Sequence, residues 1–364
     1  MATAEREPFL VQWLVDTRPL WPIRGKDKPR EEVAELRTVV RTADHPLTPA
    51  SQVLSLLSKS EQEAVLKYYH IRDAKMSLAS QLLKHLIITK YCKVPWSKST
   101  ITRAANGKPC YIPTEGQPHI EFNVSHQAGL VTLIAVIGGD GKTNVGTDIV
   151  CANERFSNDY KYIEKNGFFD WVDMHGEVFA ESEIEFMKRS VVGLEKILPG
   201  RIICETGNEA LSQCQSRNRQ VDVTVLDEDN GTAELKVNSN VAIDAKIRRF
   251  YAMWCLREAY VKMTGEALLA PWLKDLQICD VRPPSAAASD DPASLTVGEM
   301  SSNYRIIFKG KAVTDVSMEL TALGSHYMIG GALRTESKVG LALGSWEQID
   351  LEKDVLELGE PVNE

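Results

Sequence analysis

The chain has 364 residues, 43% of them hydrophobic and 25% charged, the composition of a soluble globular protein with one large or two medium domains. No apolar run reaches the roughly 18 residues that span a bilayer, and MATAEREPF at the N-terminus lacks a hydrophobic signal core, so a cytoplasmic protein off the membrane is expected. A net charge of −8 argues against general nucleic-acid binding, and seven cysteines without a CxxC pair argue for reduced thiols rather than a disulfide or zinc framework.

FLVQWLVD (9–16) reads as a strand, and the Pro- and charge-rich residues 18–50 as a loop with one short helix. Ser58 with Glu61 forms a capping-box pattern that opens a helix through about Tyr69. Asp73 is placed to cap a second helix, AKMSLASQLLKHLIITKY, whose apolar residues recur at helical spacing. From Lys67 to Lys108 nine basic residues face a single acid, Asp73; such a run is a solvated face or an anion-binding wall.

NGKP (106–109) is a turn, HIEFNVSH (119–126) alternates as a strand, and LVTLIAVI (130–137) is a second strand that GGDG turns into NVGTDIV (144–150). GGDGKT is not a P-loop, because Val136 stands where the first glycine is needed and no helix follows. Helical pattern runs from about Glu154 to Glu195. Residues 196–240 are polar, an excursion from the core with a hairpin VDVTVL–DEDNG–TAELKV. A helix is expected over 243–264, a disordered low-complexity loop over 283–294, and late strands in YRIIFKG and VSMELTALGSHYMIGGAL. Both halves run helix, polar segment, strands, and Ser125-His126 is echoed by Ser325-His326. The expected fold is therefore α+β, a duplicated unit with antiparallel sheets and packed helices. Its halves are 1–143 and 144–364, the second with the inserted segment 196–240 and an acidic C-terminal tail.

Three side chains stand out chemically. Asp148 is an acid inside an apolar strand, and a buried carboxylate needs a partner. Glu258 and Lys262, four apart in WCLREAYVKMTG, lie on a helix with hardly a polar face, so they form a costly buried pair or line an enclosed polar site. Two such acids fit Mg²⁺, which takes one or two carboxylates plus phosphate oxygens and water. Ser125 and His126 are neighbours on a strand and point to opposite faces, so His126 cannot serve as base for Ser125. With Asn123 and the basic segment upstream, His126 is either structural or a phosphate contact.

NGKP, FNVSHQ (122–127), VGTDIV (145–150) and WCLREAYVK (254–262) resemble, in sequence and order, the motifs of Sfp-type 4′-phosphopantetheinyl transferases. IRDAKMSLASQLL (71–83) and VFAESE (178–183) add weaker matches, and the insertion pattern is similar to that of the broad-range enzymes of filamentous fungi. The resemblance implies a pseudo-twofold, pseudo-dimeric monomer with coenzyme A in the cleft between its halves. It implies transfer of the phosphopantetheine arm to a serine of acyl- or peptidyl-carrier domains, in polyketide synthases, nonribosomal peptide synthetases and the lysine-pathway aminoadipate reductase. Arg72, Lys75, Arg103, Gly107, Lys108, Pro109, Asn123, Ser125 and His126 would bind the coenzyme. Asp148 and Glu258 would hold Mg²⁺, Lys262 would meet the reacting phosphate, and Glu258 or a water it orients would take the serine proton.

Two positions depart from the family pattern. Val150 replaces a second acid, a gap that Gln127 or Glu183 could fill, and Arg257 replaces a lysine with its charge kept. A regulatory protein that only binds coenzyme A, or a Mg²⁺-dependent transferase acting on a small molecule, are the competing readings; the intact Asp148, Glu258 and Lys262 favour the enzyme.

Overall fold

A computed structural model describes residues 7–23, 28–37, 49–139, 141–191, 194, 198, 200–226, 231–266, 270–289, 291, 293–335 and 340–358. The chain divides into two units, Met1–Ile149 with Ala259–Glu266 and Gly331–Glu364, and Val150–Glu258 with Ala267–Gly330.

In the first unit the alternating FLVQWLVD forms β1 (Phe9–Asp16). Helix α1 (Pro29–Arg37) is the short helix expected within 18–50, and α2 (Pro49–Leu54) begins at the end of that segment; residues 24–27 and 38–48 of the expected loop lie outside the described residues. Helix α3 (Lys59–Leu66) opens on the expected box, with the Ser58 backbone N–H donating to Glu61 at 3.1 Å. Helix α4 (Ile71–Cys92) corrects an expectation: His70, not Asp73, is its N-cap, and Asp73 lies inside the first turn, where a carboxylate still favours the helix dipole. NGKP closes a short hairpin of β2 (Thr102–Arg103) and β3 (Pro109–Cys110).

Strands β4 (Ile120–Gln127) and β5 (Leu130–Ile137) form a second hairpin, and β1 pairs antiparallel with β5, Phe9 opposite Ile137. Every residue of β5 is buried, as an uninterrupted apolar run dictates for a central strand. Leu78, Leu82 and Leu86 of α4 share one core with Ile120, Phe122 and Leu133. Each such side chain contributes about 1.5–3 kcal/mol on burial, and together they clamp α4 to the sheet. β6 (Asn144–Cys151) follows, and Gly146 within it is a packing requirement. A Cβ there would lie 2.1 Å from the Ala259 carbonyl and 2.4 Å from the Met263 amide.

In the second unit the helical pattern 154–195 does not run unbroken. It divides into α5 (Phe156–Asn166), α6 (Phe168–Asp173) and α7 (Glu181–Arg189). Gly167, at φ 92, makes the first break, in a backbone region that favours glycine. The expected excursion 196–240 contains β7 (Ile202–Ile203), α8 (Glu205–Gln213), β8 (Gln220–Leu226) and β9 (Thr232–Asn238). Leu211, Val223, Val225 and Val237 are buried there, so beneath its polar face the segment has an apolar layer of its own.

Helix α9 (Ser239–Thr264) starts four residues before the expected position and belongs to both units in turn. Beyond it lie β10 (Leu276–Cys279), β11 (Val297–Ser302), β12 (Arg305–Phe308), β13 (Lys311–Ala312), β14 (Val316–Leu323) and β15 (Tyr327–Arg334). The main sheet runs β11-β14-β15-β6, and β10-β12-β13 form a smaller one. Residues 283–289 are not a loose loop: Ser285 and Glu299 exchange two hydrogen bonds, and Pro284 is buried. The Ser-His echo also fails locally, because Ser125-His126 lies in a strand and Ser325-His326 in a turn.

The acidic C-terminal stretch returns to the first unit. β16 (Glu347–Gln348) pairs parallel with β1, and α10 (Leu351–Leu358) sends Leu351 and Val355 into the core that α4 lines.

Candidate active site

Alternate residues of a strand share a face, and β4 uses its two faces differently. Ile120 and Phe122 point into the core, while Glu121, Asn123 and Ser125 form a polar row on the other side. Ser125 Oγ donates to Asp148 Oδ1 at 2.8 Å, and Lys262 Nζ donates to the same carboxylate oxygen at 2.6 Å and to Ser125 Oγ at 2.9 Å. The acid that looked isolated in an apolar strand thus faces an ammonium supplied from 114 residues away by α9. Asp148 is buried, whereas the Lys262 side chain keeps 29% of its surface exposed. The ammonium is anchored yet open to an incoming anion. Close approach of α9 to Gly146 brings Lys262 within reach of Asp148 on the same strand.

Neighbouring positions are also fixed. Asn123 Oδ1 accepts the Thr147 N–H at 3.0 Å. The Lys108 ammonium, with a side chain only 10% exposed, donates to Glu121 and to the Val145 carbonyl, the latter at 3.1 Å. Lys108 is therefore held by protein groups rather than standing free for a phosphate. In its turn, Gly107 has φ 84, Arg103 donates to the Gly107 carbonyl at 2.8 Å, and Pro109 sits opposite Arg103.

At the N-terminal end of α4, Arg72 is exposed with its Nε 3.7 Å from Asp73, and Lys75 is half-buried, its ammonium pKa pushed down by burial. His126, on the exposed side of β4, has its pKa held below the usual value by partial burial and the nearby Lys262, with Asp73 and Asp148 pulling the other way. These groups tie His126 electrostatically to both the basic end of α4 and the Asp148 cluster.

Glu258 is half-buried, one helical turn before Lys262 on α9. Its neighbour Arg257 is buried, donating to Glu183 and to the carbonyls of Leu273 (2.7 Å) and Leu276 (2.9 Å). Glu183 in turn accepts the N–H groups of Ala180 and Ile278. This corrects the suggestion that Glu183 fills a metal position, since both of its oxygens are engaged, Oε2 by the Ala180 N–H and Arg257 and Oε1 by the Ile278 N–H. Arg257 uses two arms of a guanidinium, so the exchange from lysine changes more than charge. Further along α9, Tyr251 donates to Asp159 at 2.7 Å and Trp171 reaches the same acid at 3.3 Å. Sequence reading missed Glu121, Gly146 and Asp159; the odd glycine in an otherwise β-favouring strand was the one available signal.

The geometry holds the Lys262 ammonium against Asp148 and Ser125 while leaving part of its side chain exposed. Among the described residues no group of three or more His, Cys, Asp and Glu gathers as a metal cage, and no helix is long and apolar enough to cross a membrane.

Residues 47–138 match the family model "4′-phosphopantetheinyl transferase, N-terminal", and residues 210–297 that of the 4′-phosphopantetheinyl transferase superfamily. The chain is 38% identical over 356 residues to a 4′-phosphopantetheinyl transferase of Aureobasidium melanogenum, covering 95% of this chain and 96% of that protein. It is 32% identical over 353 residues to 4′-phosphopantetheinyl transferase NpgA of Emericella nidulans, covering 92% and 84%. A more distant relative, the L-aminoadipate-semialdehyde dehydrogenase-phosphopantetheinyl transferase of Rattus norvegicus, is 22% identical over 291 residues, covering 79% and 71%.

Proposed function

The chain belongs to the 4′-phosphopantetheinyl transferase family, and from that premise we propose how its own residues carry the transfer. The reaction moves the phosphopantetheine arm of coenzyme A to a carrier-domain serine: the serine oxygen bonds to the phosphorus, and the bond to adenosine 3′,5′-bisphosphate breaks. The single observation that carries our assignment is the Asp148–Lys262–Ser125 cluster. It is a part-buried, part-open ammonium held in place before any ligand arrives, as electrostatic stabilisation of a reacting phosphate requires.

In this reading Arg72, Lys75, Arg103, His126 and the turn residues Gly107 and Pro109 receive the nucleotide and its phosphates, and Lys262 meets the phosphate that moves. Glu258, one turn from Lys262 on the same helix, takes the serine proton directly or through a water. Asp148 and Glu258 are the residues that would hold Mg²⁺. The donor set fits in its sparse form, since Asp148 already faces positive charge in the structure and Mg²⁺ needs only one or two carboxylates besides phosphate and water. When bound, the ion would neutralise pyrophosphate charge.

The duplicated fold is also part of the proposal. β1, α4 and the hairpin β4–β5 recur in chain order as β6, α9 and the hairpin β14–β15, with sheet orders β1-β5-β4 and β6-β15-β14. We further assign carrier domains of polyketide, nonribosomal-peptide and aminoadipate-reductase type as partners, and a reducing, cytoplasmic setting, supported by seven free thiols.

The test is to incubate the protein with coenzyme A, Mg²⁺ and a purified apo-carrier domain and follow the carrier's mass. Wild type should load it, and Lys262→Ala and Asp148→Asn should stay folded while loading falls by orders of magnitude. Variants that load at the wild-type rate would overturn the assignment.

A further inference from the structure

β4 ends one sheet and β6 ends another, and no main-chain ladder joins them among the described residues. Side chains do that work instead. The Lys108 ammonium bridges Glu121 on β4 and the Val145 carbonyl on β6. Asn123 Oδ1, two residues along the same face of β4, takes the Thr147 N–H at 3.0 Å. Ser125, two further along, donates to Asp148. Three alternate residues of one strand thus hold successive positions of the other, and Asp148 is the last of them.

We propose that Lys108, Glu121 and Asn123 are positioning residues, a side-chain clamp that fixes the β6 backbone and so sets Asp148 before Lys262. The inference rests on the assignment of Asp148 and Lys262 to the transfer site. Its chemistry differs from that of a coenzyme contact. The Lys108 side chain is 10% exposed and the Glu121 side chain 19%, and taking the ammonium away from a largely buried carboxylate to meet a phosphate would leave that carboxylate uncompensated. Asn123 spends its acceptor oxygen on the Thr147 N–H, which fixes its amide group against β6.

The clamp is read directly by hydrogen exchange at the Thr147 amide, in the full chain without coenzyme or carrier. Asn123→Ala should speed that exchange by roughly tenfold, the worth of one net hydrogen bond. Asn123→Asp, which keeps an acceptor oxygen, should restore protection. Lys108→Met should raise exchange across 145–148. In the loading assay Asn123→Ala should lower kcat, while its Kd for coenzyme A, measured by calorimetry without Mg²⁺ or carrier, stays within about twofold of wild type, because a positioning residue makes no ligand contact. Unchanged Thr147 protection in Asn123→Ala overturns the clamp. So does a coenzyme Kd raised tenfold or more with kcat untouched, which would make Asn123 a ligand contact, or lost protection with unaltered turnover. Failure of the underlying transfer assignment shows separately, as normal loading by Lys262→Ala while Asn123→Ala still loses Thr147 protection.

Discussion

A single methyl group at position 146 should disable the site from behind. A Cβ on Gly146 falls 2.1 Å from the Ala259 carbonyl, 2.4 Å from the Met263 amide and 2.8 Å from the Met263 Cα, all backbone atoms of one helix that cannot rotate aside. Restoring ordinary contact requires α9 to retreat by roughly 1 Å. Overpacking of this kind costs about 1–3 kcal/mol, or a Tm lower by roughly 2–12 °C at about 2–4 °C per kcal/mol. The functional cost is larger. Lys262 lies between the two backbone positions that clash, and its 2.6 Å bond to Asp148 lengthens beyond hydrogen-bond range if the helix moves that far. Misplacement of a reacting group by about 1 Å costs on the order of 10²-fold in rate. Gly146→Ala should therefore remain folded at 25 °C while carrier loading, followed by mass spectrometry, drops about a hundredfold. A variant with wild-type Tm and wild-type turnover would refute the claim that the strand–helix approach sets Lys262.

Other perturbations separate coenzyme binding, packing and titration. Arg72→Ala should raise the KM for coenzyme A more than it lowers kcat, by the roughly 1.5–3 kcal/mol of a charge-assisted bond; a collapsed kcat at constant KM speaks against a nucleotide contact. Arg257→Met strands the Glu183 carboxylate and should cost about 3–5 kcal/mol in urea unfolding, whereas an unchanged midpoint would mean that the pair does not hold α9 to α7. Burial pushes the Lys246 pKa down to about 7 from its ordinary 10.5. Between those values the unfolded chain holds a proton that the folded protein has released, so stability should rise with pH across the window. Unfolding at pH 7 and 9.5 should show that slope in wild type and a flatter one in Lys246→Met; equal slopes would contradict it.

The local grammar of the fold was legible, and its long-range chemistry was not. β1 and β5 lie where their patterns placed them, because an alternating or fully apolar run has one good solution in a sheet. The 154–195 region misled because Phe, Trp and Met continue a helical rhythm across Gly167, and the break shows only in that residue's φ of 92. Asp148 was recognisable as an acid needing a partner, yet nothing local pointed to a lysine 114 residues on. Lys108 invited a phosphate because a lysine in a glycine turn carries no sign of the Glu121 that occupies it. Partners assigned by tertiary folding leave each residue's demand in the sequence and hide the answer.

The pairing of β16 with β1 has a consequence for the order in which the molecule is made. Trp13 stands opposite Glu347, 334 positions later in the chain (347 − 13). At about 5–20 residues per second, β1 waits roughly 17–67 s after its own synthesis before the strand that covers this edge exists. During that interval FLVQWLVD, with seven apolar or amide residues before its single acid, is an unpaired strand edge of the kind that templates aggregation. α10, which brings Leu351 and Val355 to the core beside α4, arrives later still. The first unit is thus completed last, so yield on expression should depend on what shields the nascent N-terminal strand, and a cleavage near residue 346 should harm the beginning of the chain more than its end.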